Sequence, residues 1–398
     1  MSRFLHSSII ALVSLLMLSC DAFYPAAPAE DALLDGPIPG LTREQTQIFL
    51  RGDTGFNDLV FTSQTGLGPT FVANSCGSCH AGDGKGHPFT TLVRFGQRDA
   101  SGNSFLDQGG PQLQNRAIPG YSPESIPAGA PSARFTPPAN TGLGYFDFIP
   151  DESILANADP TDTNGDGISG VPNWVVLPGY TRPRTGTVYN GIKVVGRYGK
   201  KASTYDLLQQ TVNAFNQDIG ITSEFAPVDV YSGVVIGPEV STQTINDIVF
   251  YLHTLKAPIQ RTPTDATVKK GAEVFATIGC NGCHLPTMKT GPAPISSLSN
   301  MEFHPYSDLL LHDMGSGLDD GYTEGSATSA EWRTPPLWGL GLSSNSQGGS
   351  YFLMHDGRAR SIDEAIRLHS GEAQRSASLY IALSIADTQA IIKFLESL

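Results

Sequence analysis

Two short stretches carry the reactive side chains of this sequence. Residues 74–82 read NSCGSCHAG and residues 279–286 read GCNGCHLP. Each holds two thiols three positions apart, with a histidine directly after the second. The two sets are Cys76, Cys79, His80 and Cys280, Cys283, His284. Three chemistries use such groups: a redox disulfide, a zinc site and a covalently bound haem. A thioredoxin-like disulfide wants a strand before the motif and a helix starting at its first cysteine. Zinc held by C-x-x-C pairs has no need of a histidine after each pair. C-x-x-C-H is the attachment signature of c-type haem. There the thiols add across the two vinyl groups, and the adjacent histidine is delivered beneath the iron as its proximal ligand. The chain has 5 cysteines, so two haems would use every one but Cys20.

Cys20 belongs to a different signal. The chain opens MSRFLHSSIIALVSLLMLSCDAF, with Arg3 ahead of an apolar run that reaches Leu18. This has the form of a secretory leader. The end Met17-Leu18-Ser19-Cys20 has the form of a bacterial lipoprotein cleavage box, with Met17 where leucine is usual. The expectation is a signal peptide over 1–19, a lipid on Cys20 and a Pro- and Ala-rich tether over 20–37. An ordinary signal peptide that discards Cys20 is the alternative. No later segment is long and apolar enough for a membrane helix. The implied location is the bacterial periplasm or cell envelope, with membrane contact only through the anchor.

Composition narrows the partners. With 398 residues the chain can hold two ordinary domains. Lys and Arg number 25 against 38 Asp and Glu, a net charge of −13. No basic stripe is present, which argues against nucleic acid. Gly 43 and Pro 28 predict much irregular loop.

Each motif needs elements to hold it, and the same frame occurs twice. Before the first lies LTREQTQIFLRGDTGF, where Thr42 and Gln45 form a capping-box pattern. Before the second lies DATVKKGAEVFATIGCNGCH, with Asp265 as cap and Val268, Ala272 and Phe275 on one face. A closing helix ends each half. The first, from Ser241, carries Ile245, Ile248, Val249, Leu252 and Leu255. The second is expected to start at the cap Asp387 and carries Ile391, Phe394, Leu395 and Leu398. Helix, haem motif and a closing helix packed across the first is the cytochrome c plan. The predicted fold is mainly α with extensive loops. It comprises two cytochrome c-like domains, 38–258 and 264–398, the first with an insertion of about 130 residues.

Longer stretches carry a resemblance. They are IPDESILANADPTDTNGDGISGVPNWV, GRYGKKAS, AFNQDIGITS, YSDLLLHDMGSGLDDG, EWRTPPLWGLG and FLMHDGRARSIDEAIRLHSGEA. On these the chain resembles the di-haem c-type oxidoreductases of the peroxidase group. Those are relatives of bacterial di-haem cytochrome c peroxidases and of the di-haem enzyme that matures a tryptophan-derived quinone cofactor. Where that family places an aromatic after GRYG or GRFG, this chain has Lys200.

The resemblance bears on the far side of each iron. In the peroxidase relatives an HDG stretch precedes the ligand methionine by about fourteen positions. Here HDG is His355-Asp356-Gly357, and that spacing lands on His369. His369 is therefore the expected sixth ligand of the second haem, with a helix-end histidine bound to backbone as the alternative. Met314 is the runner-up, and Met354 is expected in the core. His312 and His355 read as groups near the haem edge or propionates. Arg333, Arg358 and Arg360 are either propionate partners or solvated. No distal ligand stands out for the first haem, since His87 follows His80 closely. Its iron is expected to be open. The resemblance offers Asp147 as acid–base, with Asp151 behind it and a turn or cap role as the alternative. It offers Trp174 as an electronic bridge between haems or a core aromatic.

A last motif is ADPTDTNGDGISG, in which Asp162, Asn164, Asp166 and Gly167 match the start of an EF-hand loop. The twelfth position is Asn173 where glutamate is expected, so Asp159 or the Ile168 carbonyl would complete a calcium site. An Asx-rich turn is the alternative. The expected function is an exported, peroxidase-like di-haem oxidoreductase. It would act on hydrogen peroxide or an organic substrate, with a small donor protein such as a cytochrome or cupredoxin. The alternatives are a pure electron-transfer cytochrome and a di-haem oxygenase.

Overall fold

The computed structural model describes residues 29–398, apart from 33, 97, 100, 101, 104, 106, 107 and 109. The leader, Cys20 and most of the tether lie outside the described residues. Residues Leu34–Leu398 form one compact unit.

Two helix crossings frame it. In the first, helix Arg43–Asn57 starts at Thr42, whose side chain and that of Gln45 satisfy each other's backbone N–H groups. It buries Phe49, Gly52 and Phe56. The partner is helix Thr242–Thr254, capped by Ser241, with Ile245, Ile248, Tyr251 and Leu252 buried. In the second crossing, helix Ala266–Thr277 is capped by Asp265 and buries Val268, Gly271, Val274 and Phe275. It packs on helix Ile385–Ser397, which buries Ala390, Ile391, Phe394 and Leu395. Each fully buried large apolar side chain contributes roughly 1.5–3 kcal/mol.

The two crossings share one device. A Cβ on Gly52 would overlap the carbonyl oxygen of Asp247, and one on Gly271 would overlap that of Ala390. Both glycines let one backbone rest on the other. The last helix also begins earlier than its expected cap. Ser384 accepts the N–H of Asp387, which puts Asp387 inside the first turn. The Ser-x-x-Asp spacing, with the hydroxyl three residues ahead, decides the cap.

The expectation of a mainly α fold does not hold. Only 32% of the chain is helix and 12% is strand, with many loops between. The long stretch between the helices of the first crossing is loop, short helical turns and antiparallel ribbons. Leu92–Phe95 pairs with Ser132–Phe135, and Trp174–Val176, Lys193–Val195 and Tyr189–Asn190 make a three-stranded sheet. In the second half, Leu311–Asp313 pairs with Glu331–Arg333. These strands hold four residues or fewer and sit between glycines and prolines, too short for the alternation that marks a strand in sequence.

Two large apolar cores result. One joins the first crossing to Phe146, Tyr198 and Phe215, and also takes Phe303, Leu310 and Trp338. The other holds the second crossing with Leu353, Ile362 and Tyr380. Among the described residues no helix is long and apolar enough to cross a membrane.

Candidate haem sites

The second C-x-x-C-H motif directly follows the first helix of its crossing, whereas the first comes after an intervening loop and is brought back to its helix by the Gly77 N–H on the Phe56 carbonyl. The chain then turns tightly, so that the His80 N–H reaches the Cys76 carbonyl and the His284 N–H reaches that of Cys280, both at 3.0 Å. One helical turn brings residues i, i+3 and i+4 to the same side. The four thiols are free of disulfides. Burial pushes Cys76 and Cys280 up to about 12 and Cys79 to about 11. Thiols held protonated in this way are poor redox nucleophiles, which weighs against a disulfide-exchange site.

The two histidines are held alike. His80 Nδ1 lies 2.9 Å from the Pro138 carbonyl, and His284 Nδ1 lies 2.9 Å from that of Tyr306. A carbonyl only accepts, so Nδ1 carries the proton and Nε2 keeps its lone pair. Such a second partner orients and strengthens an imidazole that ligates metal. Burial, partly offset by these bonds, lowers both rings to about 4, so they are neutral. Phe56 and Phe275, from the corresponding helices, face them with ring centroids at 5.9 and 6.3 Å.

Beyond His284 the structure places a second imidazole. His369 Nδ1 is 2.7 Å from the Ala365 carbonyl, which again leaves Nε2 free. A proton on His369 would oppose one on His284, which puts the two rings within electrostatic reach of each other. Met314 instead packs beside Phe135, Leu318 and Trp332. Met354 touches that cluster and the core of the second crossing. His312 lies 3.6 Å from Cys283 Sγ and is bound by Asp308 at 2.8 Å and Glu372 at 2.7 Å. His355 stacks on Trp332 at 3.7 Å and binds Asp320.

The expected propionate partners divide. Arg358 pairs with Asp356 and Asp320, and Arg360 lies over the Phe352 ring. Arg333 is buried and donates only to carbonyl oxygens, those of Gly199 and Thr334.

Around His80 the lining is polar and incompletely bonded. Asp83 Oδ1, Thr136 Oγ1, Asn140 Nδ2 and Thr141 Oγ1 are buried with no hydrogen-bond partner. Lys85 and Lys200 lie close to each other, and burial lowers both, Lys85 to about 8. Orphaned polar atoms and two desolvated lysines that share the attraction of Asp356 fit a site that takes a polar, anionic group such as a haem carboxylate. The cation cluster was not legible as a site. Its one signal was Lys200, where the resembling family has an aromatic.

The remaining candidates have other surroundings. His87 caps a short turn, accepting the Phe89 N–H. Asp147 accepts from His253 at 2.7 Å and from the Leu207 N–H, with Arg184 at 3.6 Å. Although burial opposes ionisation, His253 and Arg184 lower its pKa. Asp151 is buried and paired with Arg197 and Arg184. Trp174 is half-buried against the larger core. In the acidic loop, Asp162 accepts the Gly167 N–H, Asp159 those of Thr163 and Asn164, and Asp166 that of Ile168. Among the described residues no group of three or more His, Cys, Asp or Glu is gathered for a metal ion.

Comparison with known proteins agrees with this geometry. No curated protein matches the sequence. Among solved structures, hydrazine synthase of Kuenenia stuttgartiensis, pressurized with 20 bar xenon, matches with 14% identity and a TM-score of 0.40. That match covers 94% of this chain and 98% of the other, a distant likeness from which no substrate follows. Residues 132–398 match the family described as "Di-haem oxidoreductase, putative peroxidase". The match spans the second C-x-x-C-H motif, His369 and the carbonyl that holds His80, and the chain belongs to the di-haem oxidoreductase family.

Proposed function

We propose that this is a peroxidase-like di-haem enzyme of the bacterial cell envelope, with one open and one closed iron. The observation that carries this reading is the asymmetry between two otherwise matched sites. His80 and His284 have the same carbonyl partner geometry and the same free Nε2. Only His284 has a second free imidazole, that of His369, acting on it.

In this reading Cys76, Cys79 and His80 hold the first haem, and Cys280, Cys283 and His284 hold the second. The haems, when bound, supply redox change and a site for peroxide. The chain's own residues do the rest. The Pro138 and Tyr306 carbonyls fix the tautomer of each proximal ring. His369 closes the second site, which suits storage and relay of an electron. His312, held by Asp308 and Glu372, keeps a fixed positive charge beside Cys283 despite burial. A small donor protein, a cytochrome or cupredoxin, would deliver electrons. Cys20 would carry the lipid that keeps the enzyme at a membrane.

The test is direct. Protein from a host competent in c-type maturation, run on a denaturing gel, should hold haem stain. The stain should vanish only when both cysteine pairs are replaced. The ferric protein should show one high-spin and one low-spin haem. Two low-spin haems inert to peroxide would favour an electron-transfer cytochrome, and oxygen uptake without peroxide an oxygenase.

A further inference from the structure

A cavity of about 540 Å³ lies beside the linker between the two halves, a size in the range of small-molecule sites. Phe303, Tyr306 and Trp338 line it, with Pro258 and Pro286. Two of these rings are buried and locked by packing. Phe146 stacks on Trp338 at 5.4 Å, and Tyr145 stacks on Phe303 at 4.8 Å. Rings held in this way do not collapse into the space, so the cavity is preformed. Among the described residues that line it there is no Lys, Arg, Asp or Glu, and an ionic ligand would find no partner. The polar lining is modest. Gln260 is engaged with Ser397 at 3.1 Å. Thr287 and His304 are exposed, with His304 Nδ1 at 3.1 Å from Thr287 Oγ1. That bond leaves His304 Nε2 without a protein partner among the described residues.

The cavity abuts the loop that carries the second proximal histidine. Pro286 follows His284 by two residues. The Tyr306 carbonyl lies 2.9 Å from His284 Nδ1. The Tyr306 ring meets Phe275 and Phe394 of the second crossing edge to face, at 6.1 and 5.7 Å. One residue thus forms part of the wall and holds the imidazole. Its backbone φ of 54° lies in the left-handed region, which a residue with a β-carbon seldom adopts. A ligand in the cavity is separated from His284 only by Tyr306 and one hydrogen bond.

The geometry points to a binding site for a small, neutral, planar phenol that gives electrons to the second haem. This rests on the reading of that haem as the electron relay. The ring lies among Phe303, Tyr306 and Trp338, since aromatic rings attract one another in offset and edge-to-face arrangements. The hydroxyl pairs with His304 Nε2. A phenol both donates and accepts, so either tautomer of His304 suits it. Each phenol loses one electron and its hydroxyl proton and becomes a phenoxyl radical. The electron leaves through Tyr306 and its hydrogen bond to His284, and the proton goes to water at the open side. Hydrogen peroxide is the oxidant. Two phenols supply the two electrons and two protons that turn one peroxide into two waters.

Calorimetric titration of the ferric full-length protein with 4-methoxyphenol, without peroxide, tests the site apart from turnover. Wild type should bind one molecule per chain, and cyclohexanol, which has the hydroxyl but no flat ring, should bind far more weakly. Thr287→Trp puts an indole into the cavity from an exposed position and should abolish binding. His304→Leu removes the hydroxyl's partner and should weaken it about 10-fold, the loss of one hydrogen bond. Haem content and melting temperature are measured for each. If Thr287→Trp loses haem, His304→Leu carries the criterion alone. In turnover with peroxide, His304→Leu should raise KM for the phenol more than it lowers kcat. A wild type that does not bind the phenol overturns the inference. So does equal affinity in wild type and variants, or cyclohexanol bound as tightly as the phenol. A wild type that binds the phenol and reacts with peroxide, yet leaves the phenol unoxidised, overturns the donor role. A wild type that binds the phenol while neither haem reacts with peroxide overturns the peroxidase reading and leaves the binding site standing.

Discussion

His369 shows how much one side chain can fix. Its Nδ1–H is committed to the Ala365 carbonyl one helical turn back, so Nε2 is the nitrogen left to bind metal. Imidazole favours ferric iron more than a thioether does, and methionine ligation raises the potential. The second haem should therefore lack the weak near-infrared sulfur-to-iron band. His369→Met should introduce that band and raise the potential, and His369→Ala should make this haem high-spin in a folded protein. A band already present in wild type, and lost in Met314→Ala, would assign the ligand to Met314. Asp218 is a second residue-scale case. Burial raises its carboxyl to about 7 from 3.8, with Arg94 pulling the other way. The folded chain then holds a proton that the unfolded chain has lost. Stability from this group is full below about pH 4 and is lost as pH rises toward 7. In melting curves over that range, Asp218→Asn should remove this part of the decline.

At the scale of elements, the two helix crossings depend on glycine more than on apolar area. Gly52 and Gly271 occupy matching places, each against a carbonyl oxygen of the partner helix. Alanine would gain helix propensity at either site, yet the added carbon has nowhere to go, since the obstacle is backbone. Overpacking of this kind costs roughly 1–3 kcal/mol. Gly52→Ala and Gly271→Ala should each lower the melting temperature. The tilt forced on the helix should also disturb the haem spectrum of its own half. A variant that melts with wild type would show that the helices separate freely, contrary to this account. The exposed Gly165, with open space around it, is no such control, because its backbone φ of 73° already disfavours a side chain.

The two halves meet through loops as well as through the apolar core that Phe146 shares with Phe303 and Trp338. Ser169, at the end of the acidic loop, donates to Glu372, and Val171 pairs with Leu311. Calcium held by Asp162, Asn164 and Asp166 would stiffen the loop just before that joint. Chelator should then lower the melting temperature of the wild type but not of Asp162→Ala/Asp166→Ala, by mass action on the folded state. Equal melting with and without chelator would leave the loop as an Asx turn. Some of this molecule is settled by local sequence. The C-x-x-C-H motifs, the Thr42, Ser241 and Asp265 caps and the apolar faces of the four helices are short-range patterns, because capping and periodicity act within a few residues. Other features arise between residues far apart in the chain. Short ribbons such as Leu92–Phe95 with Ser132–Phe135 replaced the expected mainly helical fold, because each strand is stabilised by its partner and not by its own pattern. The carbonyls of Pro138 and Tyr306 select the tautomers of His80 and His284 from 58 and 22 residues away. Lys200 stands out in sequence only as a departure from the aromatic of the resembling family. Only folding sets its carbonyl on the Arg333 N–H and buries its amine within reach of the charge of Lys85, because desolvation and charge repulsion depend on what surrounds a group in space, and no stretch of chain records that.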